Sequence, residues 1–357
     1  MDTKKEVQET ITRGRIDFLV SDEEFLGILR LVAPGTNMRS ALNGSLKIGK
    51  GALVAVENPS LNSLIDGGFR INARFTPQKF MELSKMDGAI ILSKDMKKIV
   101  YANVTLVPDS QIKSAETGTR HKAAERTAKQ TGSLVIAISE RRNETTLYYK
   151  NARYPILPTE ELLRKTNESV QILEKQRELF DKNVSQLTKH ELRNQQSVLH
   201  AAGVIQKGIL IQKILGELHR CLIELGREGI LMRTRIKEIT EGVEKETTLV
   251  LKDYSIIPLK KSLSLLEMFS YDDILDKGKI IHSLGYDSSS MVNRIKGWRL
   301  LSKTSLSDSE IAALLSVTGN LGATIHSNPS LYRMSLGEER ARIFSEEINK
   351  IKFDLSM

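Results

Sequence analysis

Three short stretches of this 357-residue chain hold residue types suited to phosphate and metal chemistry. The first is Glu116-Thr117-Gly118-Thr119-Arg120-His121-Lys122-Ala123-Ala124-Glu125-Arg126-Thr127-Ala128. Ala123, Ala124, Thr127 and Ala128 form one close-packing helix face, and Thr117 to Thr119 supply its start. A helix N-terminus offers free amides and the positive end of a dipole, here with Arg120, His121 and Lys122 in the first turn. Cations at that end oppose the dipole, a local cost that makes sense if a polyanion binds, and phosphate is the natural candidate. The alternative by spacing alone is a solvated basic turn. In the second stretch, Ser84-Lys85-Met86-Asp87-Gly88-Ala89, a carboxylate sits directly before a strand. Gly88 and Ala89 leave room for a large group near the backbone, although Asp-Gly is also an ordinary turn. The third, Ser139-Glu140, ends a strand, where ligands of sheets commonly sit. Spacing leaves open whether the three termini converge on one nucleotide and its metal.

Other signals are weaker. Gly44-Ser45-Leu46-Lys47-Ile48-Gly49-Lys50-Gly51 nearly matches a phosphate-binding P-loop. Gly51 stands where a Ser or Thr must hold Mg²⁺, and a strand follows where a helix is required, so it reads as a turn. His190, His200, His219, His282 and His326 show no metal-ligand spacing, and Trp298 reads as a packing residue.

The elements that must position these residues fall into three regions. Apolar, β-branched runs at 52–56, 69–73, 89–92, 99–104, 134–138 and 145–149 read as strands. Helical stretches at 22–32, 36–46, 77–85 and 120–130 lie between them, which predicts a central mixed sheet with helices on its faces over residues 1–155. Pro155 and Pro158 end this domain. Leu163, Val170 and Val184 share one seven-residue phase, interrupted by Arg177, and Leu173, Phe180 and Leu187 share another. With no Pro or Gly from 159 to 202, one long helix is expected there. Residues 156–287 thus read as an all-helical spine, and 288–357 as four or five small helices. The seam serves either assembly or packing within the chain.

Composition supports this multidomain α+β reading: 40% hydrophobic, 27% charged, eight prolines and a mean hydropathy of −0.24 exclude a disordered or collagen-like chain. No apolar run approaches the roughly 18 residues of a membrane span, and Met1 to Glu6 begins no secretory signal. One cysteine, Cys221, builds neither an internal disulfide nor a cysteine zinc site, as suits a reducing, cytoplasmic compartment. The net charge of +9 divides into +6, +4 and −1 over residues 1–150, 151–300 and 301–357. It suits an anionic partner or simple solubility.

Met86-Asp87-Gly88-Ala89-Ile90-Ile91-Leu92, followed by Gly118-Thr119-Arg120-His121-Lys122-Ala123-Ala124-Glu125-Arg126, Gln130-Thr131-Gly132 and the strand into Ser139-Glu140, resembles the diadenylate cyclase family. Over its full length the chain is similar to members of that family that scan DNA integrity. The resemblance implies condensation of two ATP into cyclic di-AMP with release of two pyrophosphates, Mg²⁺ or Mn²⁺ as the metal, and a homo-octamer in which cyclase domains face each other. It also implies branched or recombination-intermediate DNA as a partner and a nucleoid-associated location, with no membrane. By resemblance Asp87 is the metal-associated residue that activates the hydroxyl, and Gly88 and Leu106 lie against the nucleotide. Thr119, Arg120, His121, Lys122 and Ala123 hold the phosphates, with Arg120 and His121 catalytic, and Ser139 and Glu140 lie near phosphates and metal. Lys122 departs from the family's Arg, keeping the charge but losing the planar fork. The last region resembles a helix-hairpin-helix DNA-binding module, in which Ser335-Leu336-Gly337 keeps only the second glycine. Ser335, Gly337 and Arg340, with Arg294, Lys296, Arg299 and Lys303, are the expected DNA contacts. A rival reading is a DNA-binding scaffold whose nucleotide pocket senses without turnover.

Overall fold

The computed structural model describes residues 22–287, 295–327 and 329–354. The chain forms two compact units, one running to Thr166 and including Arg220–Leu231, the other comprising Asn167–His219 and the chain from Met232 onward. This differs from the expected division at 155 and 287, because the C-terminal helices and most of the spine share one unit.

In the first unit α1 (Asp22–Leu31) and α2 (Asn37–Ile48) precede β1 (Ala52–Val56), β2 (Ile65–Asp66), β3 (Phe69–Arg74) and α3 (Pro77–Leu83). Then follow β4 (Ala89–Leu92), β5 (Lys98–Leu106), α4 (Thr119–Thr131), β6 (Leu134–Ser139), β7 (Glu144–Tyr149) and β8 (Ala152–Ile156). All six expected strands form. Thr36 and Thr76 cap α2 and α3 by accepting from the amides of Arg39 and Lys79, and Pro77 opens α3, where no donor is needed. The strand β8 contradicts the reading of Pro155 as a terminator. It is an edge strand paired only with β7, where a missing amide donor is tolerated.

The strand order is β2-β5-β4-β1-β6-β7-β8, with β3 also on β5. Side chains alternate across the sheet. Ala52 and Val54 join Phe25, Leu29, Met38, Leu42 and Phe80 of the first three helices on one face. Leu53, Ala55, Ala89 and Ile91 face the other side with Ala124 and Ala128 of α4. Each fully buried Leu, Ile or Phe contributes about 1.5–3 kcal/mol, and alanines at the α4 contact let that helix lie close against the strands.

Beyond β8 the described residues form helices joined by turns: α5 (Thr159–Leu192), α6 (Val198–Leu225), α7 (Ile230–Thr240), α8 (Val243–Tyr254), α9 (Leu259–Glu267), α10 (Tyr271–Leu275) and α11 (Lys277–Ser283). Five C-terminal helices follow: α12 (Trp298–Leu301), α13 (Asp308–Thr318), α14 (Leu321–His326), α15 (Pro329–Leu336) and α16 (Glu338–Asp354). The single helix expected over 159–202 is broken between Leu192 and Val198. There Asn194 adopts φ 55, a left-handed conformation that Asn tolerates better than most residues, and its side chain accepts from Gln196. Along α5, Val170, Leu173, Phe180 and Leu187 are buried, so the second heptad phase is the continuous core line. One helical run, Val198–Tyr254, does meet the length and composition of a membrane span, contrary to expectation. Its apolar window is 67% buried within the protein, as in a core helix.

The second unit is tied together by a buried charge cluster. The guanidinium of Arg299 and the carboxylate of Glu191 are fully buried and paired. Arg299 also donates to Glu246 at 2.7 Å and Thr188 at 3.0 Å, and Tyr254 donates to Glu191 at 3.0 Å. The Asp253 carboxylate accepts from the amides of Gly297, Trp298 and Arg299.

Candidate active site

The sheet register gathers the site. Leu53 on β1 lies opposite Ala89 on parallel β4 and Ala52 opposite Ile138 on antiparallel β6, while Ala89 also faces Val104 of antiparallel β5. The starts of β1 and β4 and the ends of β5 and β6 therefore share one end of the sheet. Gly51, Asp87-Gly88, Val104 to Leu106 and Ser139-Glu140 meet there, although they are scattered along the sequence. Gly88 has φ 91, and a Cβ on it would sit 2.8 Å from Asn103 C and Val104 O, so only glycine fits.

These ends and the start of α4 enclose a cavity of about 850 Å³, the size of a small-molecule site. Leu53, Ala89, Val104 and Leu106 give it an apolar floor, while Thr119, Arg120, His121, Ser139, Glu140, Arg141 and Arg142 give it a polar wall. Gly118 starts α4 with no side-chain cap, leaving the first-turn amides to water or a ligand. The β5–α4 loop is strapped to the helix: Arg126 Nε donates to Ile112 O at 2.9 Å, Lys129 Nζ to Lys113 O at 3.0 Å, and Glu125 accepts from Ser114 and the Ala115 amide.

Arg120 lies across the backbone of Gly51. A Cβ there would stand 2.2 Å from Arg120 Nη1 and 3.0 Å from Ile138 O. The rejected P-loop segment thus contributes a glycine after all, for close approach instead of phosphate binding. His121 is mostly buried, with its ring edge-on to Tyr148 at 6.3 Å. Burial pushes its pKa down, with Glu116 pulling the other way and Arg142 and Arg153 reinforcing the fall. Glu116 accepts from Tyr148 Oη at 2.8 Å and Arg153 Nε at 2.6 Å. Burial raises its pKa, but these two hydrogen bonds outweigh it and keep the carboxyl below its usual range.

Of the residues expected at the site, Gly88, Leu106, Thr119, Arg120, His121, Ala123, Ser139 and Glu140 line the cavity. Asp87 is exposed beside Gly88. Lys122 is exposed and does not line the cavity wall, because two residues turn a helix by about 200° from Arg120. Sequence reading missed Glu116, Arg141 and Arg142. The arginine pair directly after Ser139-Glu140 was the visible signal for the last two. Among the described residues no three metal-binding side chains gather. The oxygen donors Asp87 and Glu140 fit Mg²⁺ or Mn²⁺, ions that take one or two carboxylates and complete their shell with substrate phosphates and water.

The residues expected to contact DNA fare differently. Arg299 is a correction: it is fully buried in the charge cluster and faces no solvent. Lys303 pairs with Glu246 at 3.2 Å, and Arg340 pairs with Glu310 at 2.9 Å. Ser335 Oγ donates to Leu331 O at 3.1 Å within α15, Gly337 joins α15 to α16 with φ 80, and Lys296 is exposed. Arg294 lies outside the described residues.

Residues 39–153 match the family described as DAC, DisA bacterial checkpoint controller nucleotide-binding, and residues 157–293 match the DisA bacterial checkpoint controller linker region. The chain is 38% identical to the DNA integrity scanning protein DisA of Carboxydothermus hydrogenoformans, over 93% of this chain and 98% of that protein. It is 37% identical to the protein of that name from Acetivibrio thermocellus, over 93% and 95%, and 40% identical to the one from Bacillus subtilis, over 77% and 79%. Matched along nearly its whole length, and carrying that family's nucleotide-binding domain around the cavity, the chain belongs to the DisA family of DNA integrity scanning proteins.

Proposed function

We propose that the cavity binds one ATP and that two facing copies of the chain condense their nucleotides into cyclic di-AMP. Each 3′-oxygen forms a bond to the α-phosphorus of the opposite ATP, the α–β phosphoanhydride bond breaks, and pyrophosphate leaves; the 3′-hydroxyl proton is lost. The observation that carries this reading is the meeting, at one sheet end, of Asp87-Gly88, the uncapped start of α4 with Arg120 and His121, and Glu140. The apolar floor suits a base, and the guanidinium, imidazole and amides suit the phosphates, where fixed donors stabilise developing charge. Burial lowers the His121 pKa and so favours its neutral imidazole, whose ring N–H can donate a hydrogen bond to a phosphate without adding charge. Asp87, exposed beside Gly88, is placed for a hydroxyl arriving from the opposing copy. A Mg²⁺ or Mn²⁺ held by Asp87 and Glu140 would supply Lewis-acid stabilisation of the phosphates. We assign the chain, like its named relatives, to DNA integrity scanning, and we further propose that it acts in the cytoplasm at the nucleoid, as an octamer with a C-terminal helix-hairpin-helix.

Mass spectrometry of purified protein incubated with ATP tests the reaction. Cyclic di-AMP and pyrophosphate in a 1:2 ratio are expected with Mn²⁺ or Mg²⁺, and neither with EDTA. ATP left intact under assembly conditions would overturn it in favour of a nucleotide-sensing scaffold.

Gly51→Ala gives a finer test. Gly51 does not have a positive φ, so alanine meets no strain in φ; the flexible end of Arg120, 2.2 Å from the new Cβ, must yield most, and the Ile138 carbonyl at 3.0 Å by a few tenths of an ångström. The turnover number is expected to fall about 10–100-fold, as for a misplaced phosphate-positioning group, with the melting temperature nearly unchanged. In an Arg120→Ala background the same substitution should have no further effect; a further loss would show that Gly51 acts elsewhere.

A further inference from the structure

Asp87 is exposed, and what fixes its direction is backbone. Just past it, β4 and β5 leave plain register. Ala89 pairs with Val104 and Ile91 with Tyr101, so two steps along β4 answer three along β5. The extra residue makes a β-bulge, which bends a strand and re-aims what lies next to it. It also lets Tyr101 and Val104, three positions apart, pack toward the same α4 side, where strict alternation would put them on opposite faces.

Asn103 lies in this bulge with φ 56, in the left-handed region. Residues other than glycine rarely occupy that region; asparagine does so more readily than most, and β-branched residues least. Two glycines of positive φ grip the bulge. A Cβ on Gly88, φ 91, would stand 2.8 Å from Asn103 C and Val104 O and 3.0 Å from Val104 N. A Cβ on Gly68, φ 84, would stand 2.6 Å from Val104 Cγ2, 2.8 Å from Ala102 O and 3.1 Å from Asn103 O. With no side chain on Gly88 to cushion the contact, a shift in the Asn103 backbone passes directly to Asp87-Gly88. The Asn103 side chain itself is exposed and, among the described residues, makes no hydrogen bond. Packing therefore does not account for an asparagine at this position, whereas the backbone conformation does.

Resting on the cyclase reading, we infer that Asn103 is a positioning residue for the hydroxyl attack: its left-handed backbone holds the bulge against Gly88 and so sets where the Asp87 carboxylate stands. Asn103 acts through Asp87 and supplies no chemical group of its own. The effect of a substitution should then follow how well the new residue accepts a positive φ, and not its size or polarity.

Steady-state kinetics of cyclic di-AMP formation by the full chain, over a range of ATP concentrations with Mn²⁺, test this. Asn103→Gly, which removes the amide but accepts the conformation, is expected to keep kcat within about threefold of wild type. Asn103→Val is expected to lower kcat about 10–100-fold, as for a misplaced reacting group. Its KM for ATP should change less than about threefold, because the phosphate donors belong to α4 and the lost interaction is made only in the transition state. Asn103→Ala should fall between the two, and serves in place of valine if that variant's circular dichroism melt shows it unfolded. A glycine variant as slow as the valine one would assign the role to the amide side chain and overturn the inference. So would a folded valine or alanine variant with wild-type kcat, or one whose defect lies in KM alone. A wild-type chain that makes no cyclic di-AMP would instead sink the cyclase reading on which the inference rests.

Discussion

Asp87→Asn is expected to reduce cyclic di-AMP formation by about 10³-fold or more while leaving the protein folded. The side chain is exposed and, among the described residues, makes no hydrogen bond or ion pair within the chain. Nothing in the sheet depends on its charge, and asparagine preserves its shape. On the proposed mechanism, what is lost is a carboxylate that would associate with the metal and draw the proton from the attacking hydroxyl, contributions each worth orders of magnitude in rate. The backbone that aims it stays put, because Gly88 is locked by φ 91 against Asn103 and Val104. Product formation, ATP affinity and thermal unfolding should be measured on one preparation. Unchanged melting and retained ATP binding with lost product is the expected pattern. An active variant would remove Asp87 from the mechanism.

Glu191→Ala is expected to destabilise the second unit by about 3–5 kcal/mol, because it strands the buried Arg299 guanidinium without its main counter-ion. Glu246 is left to hold the cation alone from 2.7 Å, and Tyr254 loses the acceptor of its hydroxyl. For a unit of this size that corresponds to a fall in melting temperature of about 10 °C. Replacing both partners with apolar residues, Glu191→Leu with Arg299→Met, should recover much of the loss, since neither charge is then desolvated. A single variant that melts like wild type would show that water reaches Arg299.

The sheet strands were legible because their apolar runs are long and β-branched, and the cavity-lining start of α4 because its cations stand where a helix start disfavours them. What was not legible is tertiary. That Gly51 touches Arg120, or that Asp87 and Ser139 share one edge, follows from β1 pairing parallel to one neighbour and antiparallel to the other, which spacing does not encode. That Lys122 stands outside the cavity wall was not legible because a motif runs along the sequence while a helix turns by about 100° per residue. Arg299 was misread for a related reason: an arginine in a basic stretch looks solvent-facing until Glu191 and Glu246, more than fifty positions away, prove to surround it. The break at Asn194 carried no proline or glycine to announce it.

The first unit is discontinuous in sequence. Ile223 packs into the core beneath the sheet, Glu224 accepts from Tyr154, and Gly226 sits against Ala33. On the ribosome, therefore, the nucleotide-binding fold is not finished when its last strand emerges at Ile156. About 75 further residues must be translated before Leu231 is available, an interval of about 4–15 s at roughly 5–20 residues per second. During that time the apolar surface awaiting Ile223 stays open, so a gene truncated after the sheet would encode every residue lining the cavity yet yield a chain prone to aggregate.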